Sequence, residues 1–353
     1  MTSAREWIEG ARLRTLPASI APVIAGTGLA WYAASAWPTA QLAPGWRPSA
    51  WTLVAPLLCL VVAVAIQVGS NLSNDYSDGL RGTDAVRLGP QRLVGSGAAS
   101  PAQVKRAAFA AFGLAGLAGL ILLGWYGRWY SATTWRSLGA GAWSDLAGRP
   151  ALAVAGLAVG VACLLAAWFY TGGKHPYGYA GLGEVFVFVF YGLVATAATA
   201  YVQAGAVCVC VDGPNIARCD CATALPWLGA LASGTVLGLI CVDILVANNL
   251  RDLATDQAVG KNTLATRMGD RATRWLYAGL IVVAQAGVVV VAATTSWWAL
   301  LGLVGVNLVS WHTWRVLRGA EGRELITVLK WTGLAELATA LALVAGWLIA
   351  VLA

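Results

Sequence analysis

The chain has 353 residues, of which 59% are hydrophobic and 11% charged, with a mean hydropathy of +0.69. A soluble domain carries roughly 25% charged residues, so lipid is the expected solvent and a soluble enzyme is excluded. The formal net charge of +7 needs no nucleic-acid partner once its distribution along the chain is read.

Apolar runs of about 20 residues, the length that crosses a bilayer as a helix, predict nine spans. They fall near 15–36, 51–73, 107–126, 150–170, 185–206, 225–248, 275–294, 297–314 and 332–352. The fold class is therefore all-α, a polytopic membrane bundle forming one domain over 1–353. Ahead of the first span, Ala4, Trp7, Ile8 and Ala11 share one helical face while Arg5, Glu9 and Arg12 lie opposite. That pattern predicts a short interfacial helix over about 4–14. The apolar run from Leu16 to Trp37 is too long for the core of a signal peptide and reads as a span. With the N-terminus in the cytoplasm, only Arg47, Arg128, Arg136, Arg149 and Arg218 of the 23 basic residues fall on the far side. This is the asymmetry of a plasma-membrane protein that keeps positive charge inside.

The second span ends in Gln67-Val-Gly-Ser-Asn71-Leu-Ser-Asn74-Asp75-Tyr76-Ser-Asp78, followed by Asp84. If the helix continues this far, Gln67, Asn71, Asn74, Asp75 and Asp78 share one face at i, i+3 and i+4 spacing. Two carboxylates one turn apart repel each other, and a hard cation removes the conflict. Magnesium takes a few carboxylate oxygens, keeps water, and completes its shell with phosphate.

After the fourth span comes Tyr170-Thr-Gly-Gly-Lys174-His175-Pro-Tyr177-Gly-Tyr179-Ala-Gly-Leu-Gly-Glu184. The glycines allow close backbone approach, and Lys174 is a phosphate ligand candidate. Tyr170, Tyr177 and Tyr179 offer π faces to a cation. The loop after the fifth span holds Cys208, Cys210, Cys219 and Cys221. A zinc site and a pair of structural disulfides are both chemically open; the charge asymmetry puts the loop outside, which favours disulfides.

The sixth span carries Asp243 within it and ends in Asn248-Asn249-Leu-Arg251-Asp252-Leu-Ala-Thr-Asp256, with Lys261 beyond. Asp243 either contacts a substrate or bonds to a neighbouring helix. Asp252 and Asp256 repeat the one-turn spacing of Asp75 and Asp78, again with an Asn one turn earlier. Arg251 and Lys261 flank them, as suits a diphosphate bridged to carboxylates by magnesium. A lone Asp beside a span is normally a solvated helix end. Two such clusters at corresponding ends of two helices, each with cations nearby, read better as a binding site.

These segments resemble the UbiA superfamily of intramembrane prenyltransferases, and the resemblance covers nearly the whole chain. It rests on Leu13-Arg14-Thr15-Leu16-Pro17, on Asn71 to Asp84 with Gly89-Pro90, on Tyr170-x3-Lys174, on Tyr177 through Glu184, and on Asn248 to Asp256 with Gly260 to Leu264. Gly82 stands where other branches carry a third Asp, with Asp84 two residues later, as in the 1,4-dihydroxy-2-naphthoate branch.

The resemblance implies a UbiA-like bundle and a magnesium-dependent transfer. Its substrates would be a polyprenyl diphosphate and 1,4-dihydroxy-2-naphthoate, and the reaction would lose carbon dioxide to give demethylmenaquinone. It implies Asn71, Asp75, Asp78 and Asp84 around one ion and Asn248, Asp252 and Asp256 around a second. Lys174, Arg251 and Lys261 would hold the diphosphate, and Tyr76, Tyr170, Tyr177 and Tyr179 would face the allylic cation. Another acceptor such as 4-hydroxybenzoate remains open within the class. A cation transporter is the competing class, but transport sites usually lie near the bilayer midplane on interrupted helices, whereas these acids sit at helix ends.

Overall fold

The computed structural model describes residues 2–36, 50–82, 92–135, 148–207 and 225–353. Asp84, Gly89-Pro90 and the four cysteines between 208 and 221 lie outside the described residues. Among those described, every regular element is a helix.

Helix α1, Ala4–Ala11, begins with a capping box: Ser3 Oγ accepts the Glu6 N–H, and Glu6 Oε2 accepts the Ser3 N–H at 2.7 Å. The Ser3 backbone N–H is the main cause holding the exposed Glu6 carboxyl below its ordinary value. The helix stops at Arg12, the one described non-glycine residue with positive φ, 55°, a conformation that costs about 1–2 kcal/mol. A 3₁₀ turn over Leu13–Thr15 follows, and then α2, Pro17–Ala36, set at 52° to the segment before it. Pro17 suits a first helical turn because its missing N–H would have no partner there. The bend is pinned from the next helix, α3, Ala50–Arg81. Asn71 Nδ2 donates to Ala11 O at 3.0 Å and to Thr15 Oγ1 at 3.1 Å, and Gln67 Nε2 donates to the same hydroxyl.

α4, Pro101–Trp135, and α5, Gly148–Phe169, follow. α6, Gly183–Val187, runs through a π-helical turn at Phe188–Val194 into α7, Ala195–Val207. α8, Trp227–Arg251, is succeeded by the short α9, Leu253–Ala258, and α10, Leu264–Met268. α11, Asp270–Thr294, a broken stretch containing α12, Gly302–Asn307, and α13, Ser310–Leu317, and finally α14, Arg323–Leu352, complete the chain.

All nine expected spans are helical, but the count of nine is not confirmed. Six described helices are long and apolar enough to cross a membrane, and a seventh if the bent first pair is one span. The expected span at 150–170 corresponds to α5, Gly148–Phe169, whereas that at 297–314 is interrupted near Leu308, where the chain breaks and restarts as α13.

α8 is the most enclosed of the six and packs on α2, the π turn, α11 and α14. Its Gly234 and Gly238, one turn apart, let the π turn approach: a Cβ on Gly192 would lie 2.5 Å from the Gly238 Cα. Such small-residue seams replace the hydrophobic effect as the glue between helices in lipid. The outer faces carry exposed Leu57, Leu117, Val282 and Leu341, as surfaces meeting lipid should.

Candidate active site

α3 continues unbroken to Arg81, so the predicted polar stripe is helical. Its carboxylates are not solvated helix ends. Asp75 is 1% exposed, Asp78 5%, Asp252 8% and Asp256 6%. Burying four carboxylates requires compensation from elsewhere in the chain.

Each receives it. Asp75 accepts the Leu93 and Val94 N–H groups at 2.8 and 3.0 Å, which folds the 92–99 turn against the end of α3. Asp78 accepts the Tyr179 hydroxyl at 2.6 Å and pairs with the buried Arg92 at 3.3 Å. Asp252 receives both arms of Arg251 at 2.7 Å, and one of these also reaches Asn248 Oδ1. Asp256 pairs with Lys261 at 3.5 Å. α8 does not simply continue through this motif. It ends at Arg251, and Asp252 caps both that end and the start of α9, whose Asp256 N–H returns to Asp252 O at 2.8 Å. Gly260, with φ 71°, then turns the chain so that Lys261 folds back, its N–H on Asp256 O.

The two acid clusters meet at Tyr179. Its hydroxyl is on Asp78, while its ring lies 5.1 Å from Lys261 Nζ and 5.0 Å from the Arg81 guanidinium carbon. Arg81 also donates to Thr171 O and Gly173 O, holding the 171–179 segment over the end of α3. Thr171 in turn donates to Asn74 Oδ1 at 2.8 Å. Three segments far apart in sequence thus form one surface of alternating acids, cations and aromatic rings.

Other predicted residues take different positions. Asn71 spends its amide N–H groups on the α1–α2 bend rather than on the clusters. Tyr76 points to the far side of α3, stacked on Trp168 at 6.3 Å with Lys105 Nζ 5.6 Å from its ring centroid. Lys174 is exposed at the edge of the loop. Tyr170 lies within electrostatic reach of Glu184, Asp78 and Asp256, and its ring meets Tyr177 edge-on at 5.5 Å. Burial pushes the Tyr177 phenol up, so it stays a hydroxyl, donating to Ala166 O at 2.6 Å.

Sequence reasoning missed Arg81, Arg92, Arg12 and the pair Glu184–Asn249, whose side chains bond at 3.0 Å beneath the tyrosines. Arg81 had a signal: it lies three residues after Asp78, on the same face. Arg12, within electrostatic reach of Asp75, and Arg92 are recruited only by tertiary folding.

Among the described residues no three His, Cys, Asp or Glu side chains converge to cage a metal. Each cluster offers two carboxylates. Magnesium is commonly held by one or two carboxylates, with water and substrate phosphate completing the shell. The donor set therefore fits an ion that arrives with a diphosphate.

The sequence model of the UbiA prenyltransferase family matches residues 137–334. The 1,4-dihydroxy-2-naphthoate octaprenyltransferase of Mycobacterium tuberculosis is 44% identical over 343 residues, 97% of this chain and 96% of that protein. The enzyme of the same name from Haemophilus influenzae is 31% identical, covering 92% of this chain and 89% of its own. Among solved structures, a UbiA homologue from Aeropyrum pernix superposes with a TM-score of 0.58 at 14% identity, over 96% of this chain and 98% of that one. A UbiA homologue from Archaeoglobus fulgidus, bound to DMAPP and Mg2+, gives 0.54 at 11% identity, over 96% and 99%. At these identities the superpositions speak for the fold. Taken with a family match over more than half the sequence and relatives aligned along nearly all of it, they establish that this chain belongs to the UbiA prenyltransferase family.

Proposed function

We propose that the chain transfers a polyprenyl group from a polyprenyl diphosphate to 1,4-dihydroxy-2-naphthoate, with loss of the carboxylate as carbon dioxide, to give demethylmenaquinone. The observation that carries the reading is the meeting of both acid clusters at Tyr179, between Lys261 and Arg81. The choice of acceptor is supported by the relatives that bear that name.

Asp75 and Asp78, with Asp84, would hold one magnesium ion, and Asp252 and Asp256 a second, with Asn248 beside them. When bound, such ions would supply neutralisation of the charge on the diphosphate and on the departing pyrophosphate. Arg251, Lys261 and Lys174 bind the phosphate oxygens, and charge-assisted contacts of this kind strengthen as the leaving group gains charge. Tyr170, Tyr177 and Tyr179 offer their π faces to the allylic cation. The acceptor ring supplies the nucleophile, so no protein nucleophile is needed. The whole chain, 1–353, acts as one membrane domain, with α1 in the interface. The N-terminus and this site face the cytoplasm from the plasma membrane, an orientation that the charge asymmetry supports.

The test is mass spectrometry of the purified protein in lipid, given a polyprenyl diphosphate, magnesium and either dihydroxynaphthoate or 4-hydroxybenzoate. A prenylated naphthalenediol lacking the carboxylate is expected. Product from hydroxybenzoate alone, or a naphthalene product that keeps its carboxylate, would contradict the reading.

A further inference from the structure

At the start of α11 an open groove of about 650 Å³ is lined by Met268, Arg271, Ala272, Trp275 and Leu276. It belongs to none of the surfaces described above. Asp270, the acid next to Arg271, is already committed. Both of its oxygens are held by Arg274, at 2.7 and 2.8 Å, and Arg274 also donates to Val316 O and Ala320 O. Arg271 is exposed and forms no ion pair or side-chain hydrogen bond among the described residues. Its guanidinium therefore stands uncompensated over a groove whose other walls are apolar.

The vertical order of these groups matters. α11 is one of the six helices long and apolar enough to cross a membrane, and Arg271 lies in its first turn, the end of a span that meets the headgroups. Trp275, 62% exposed, comes one turn deeper, where indole rings sit at the boundary between headgroup and acyl chain. Leu276, the next residue, and Met268, at the end of α10, form the other large apolar walls of the groove. A cation one turn above an indole and a leucine is the profile of a phospholipid read from phosphate to chain. A soluble phosphate would leave the apolar walls unused. A zwitterionic headgroup would bring its own cation towards Arg271.

We propose that this groove binds one anionic phospholipid, its phosphate on Arg271 and its glycerol and upper acyl chain against Trp275 and Leu276. A basic residue near the membrane surface favours anionic lipid by roughly fivefold.

Native mass spectrometry of the full chain released from detergent, loaded with either phosphatidylglycerol or phosphatidylcholine, tests it. The wild type should retain one phosphatidylglycerol more than Arg271→Gln, and phosphatidylcholine adducts should not differ. Arg271→Lys, which keeps the charge, should retain the lipid, and Trp275→Ala should weaken it by a few-fold. Arg318→Gln should leave occupancy unchanged, because Arg318 already lies 4.1 Å from the Trp314 ring centroid. Equal phosphatidylglycerol retention by wild type and Arg271→Gln would overturn the proposal. So would equal retention of the two lipids, or full competition by free glycerol phosphate.

Discussion

Asp75, Asp78, Asp252 and Asp256 each meet a cation or an N–H donor from their surroundings. By contrast Asp243 on α8 and Glu336 on α14, both fully buried, accept no hydrogen bond among the described residues. The first region lies at the helix ends and draws on α3, the 92–99 turn, the 171–179 segment and the end of α8. The second lies in the seam where α8, α11 and α14 pack. There Tyr277 is within electrostatic reach of Asp243, and Cys241 of Glu336. Tyr277 also bonds to Thr332 at 2.7 Å; because Thr332 gives its own hydrogen to Val328 O, Tyr277 must be the donor. The difference is one of partners. Lys261 and Arg251 pair with the helix-end acids, whereas among the described residues no hydrogen-bond partner reaches the Asp243 or Glu336 carboxylate. Asp243, within reach of Tyr277, lies towards α11 rather than at the helix-end clusters.

The comparison breaks first under metal removal. Chelation with EDTA should abolish prenyl transfer, and added magnesium should restore it, since bare carboxylates repel a diphosphate. Full turnover in metal-free buffer would remove any special role for the helix-end acids. Next come Asp75→Asn and Asp252→Asn, which keep shape and lose charge. Turnover should fall by roughly 10³-fold, the scale on which lost transition-state stabilisation is felt, with an unchanged elution volume in size-exclusion chromatography. Near-normal turnover in either variant would make these acids structural.

Tyr179→Phe sharpens the picture by deleting only the hydroxyl that joins the clusters. A fall of about 10–100-fold is expected, as for loss of a group that orients a metal ligand, and kinetics at saturating magnesium would measure it. Lys261→Ala should raise KM for the prenyl diphosphate about tenfold, on the order of 1.4 kcal/mol. Lys174→Ala should raise it only a few-fold, because Lys174 is exposed at the loop edge. The smallest effect belongs to the seam: Asp243→Asn and Glu336→Gln should keep activity within about threefold, under 1 kcal/mol in the barrier. A large loss of kcat there, with the fold intact, would put the seam into the chemistry.

Much of this was legible in the sequence because lipid imposes long apolar runs and because a helical period puts Asp75 and Asp78 on one face. The same period turns Tyr76 about 100° away from Asp75, so its place beside Trp168 could have been anticipated. The break at Asp252 could not, since it depends on how Arg251 and Asn248 satisfy the end of α8. Nor could the roles of Arg92 and Arg12. Both reach the clusters through turns whose geometry is set by contacts distant in sequence, and no local pattern encodes those. Nor could the interruption near Leu308, where the chain keeps its apolar character but abandons a continuous helix.

The central claim is that the two clusters form a single site rather than two independent acid patches. Calorimetric titration of a non-hydrolysable prenyl diphosphate analogue into wild type, Asp78→Asn and Asp256→Asn, with and without magnesium, tests it most directly. The account predicts one magnesium-dependent binding event in the wild type and its loss in both variants. Retention of wild-type, magnesium-dependent affinity by either variant would contradict it.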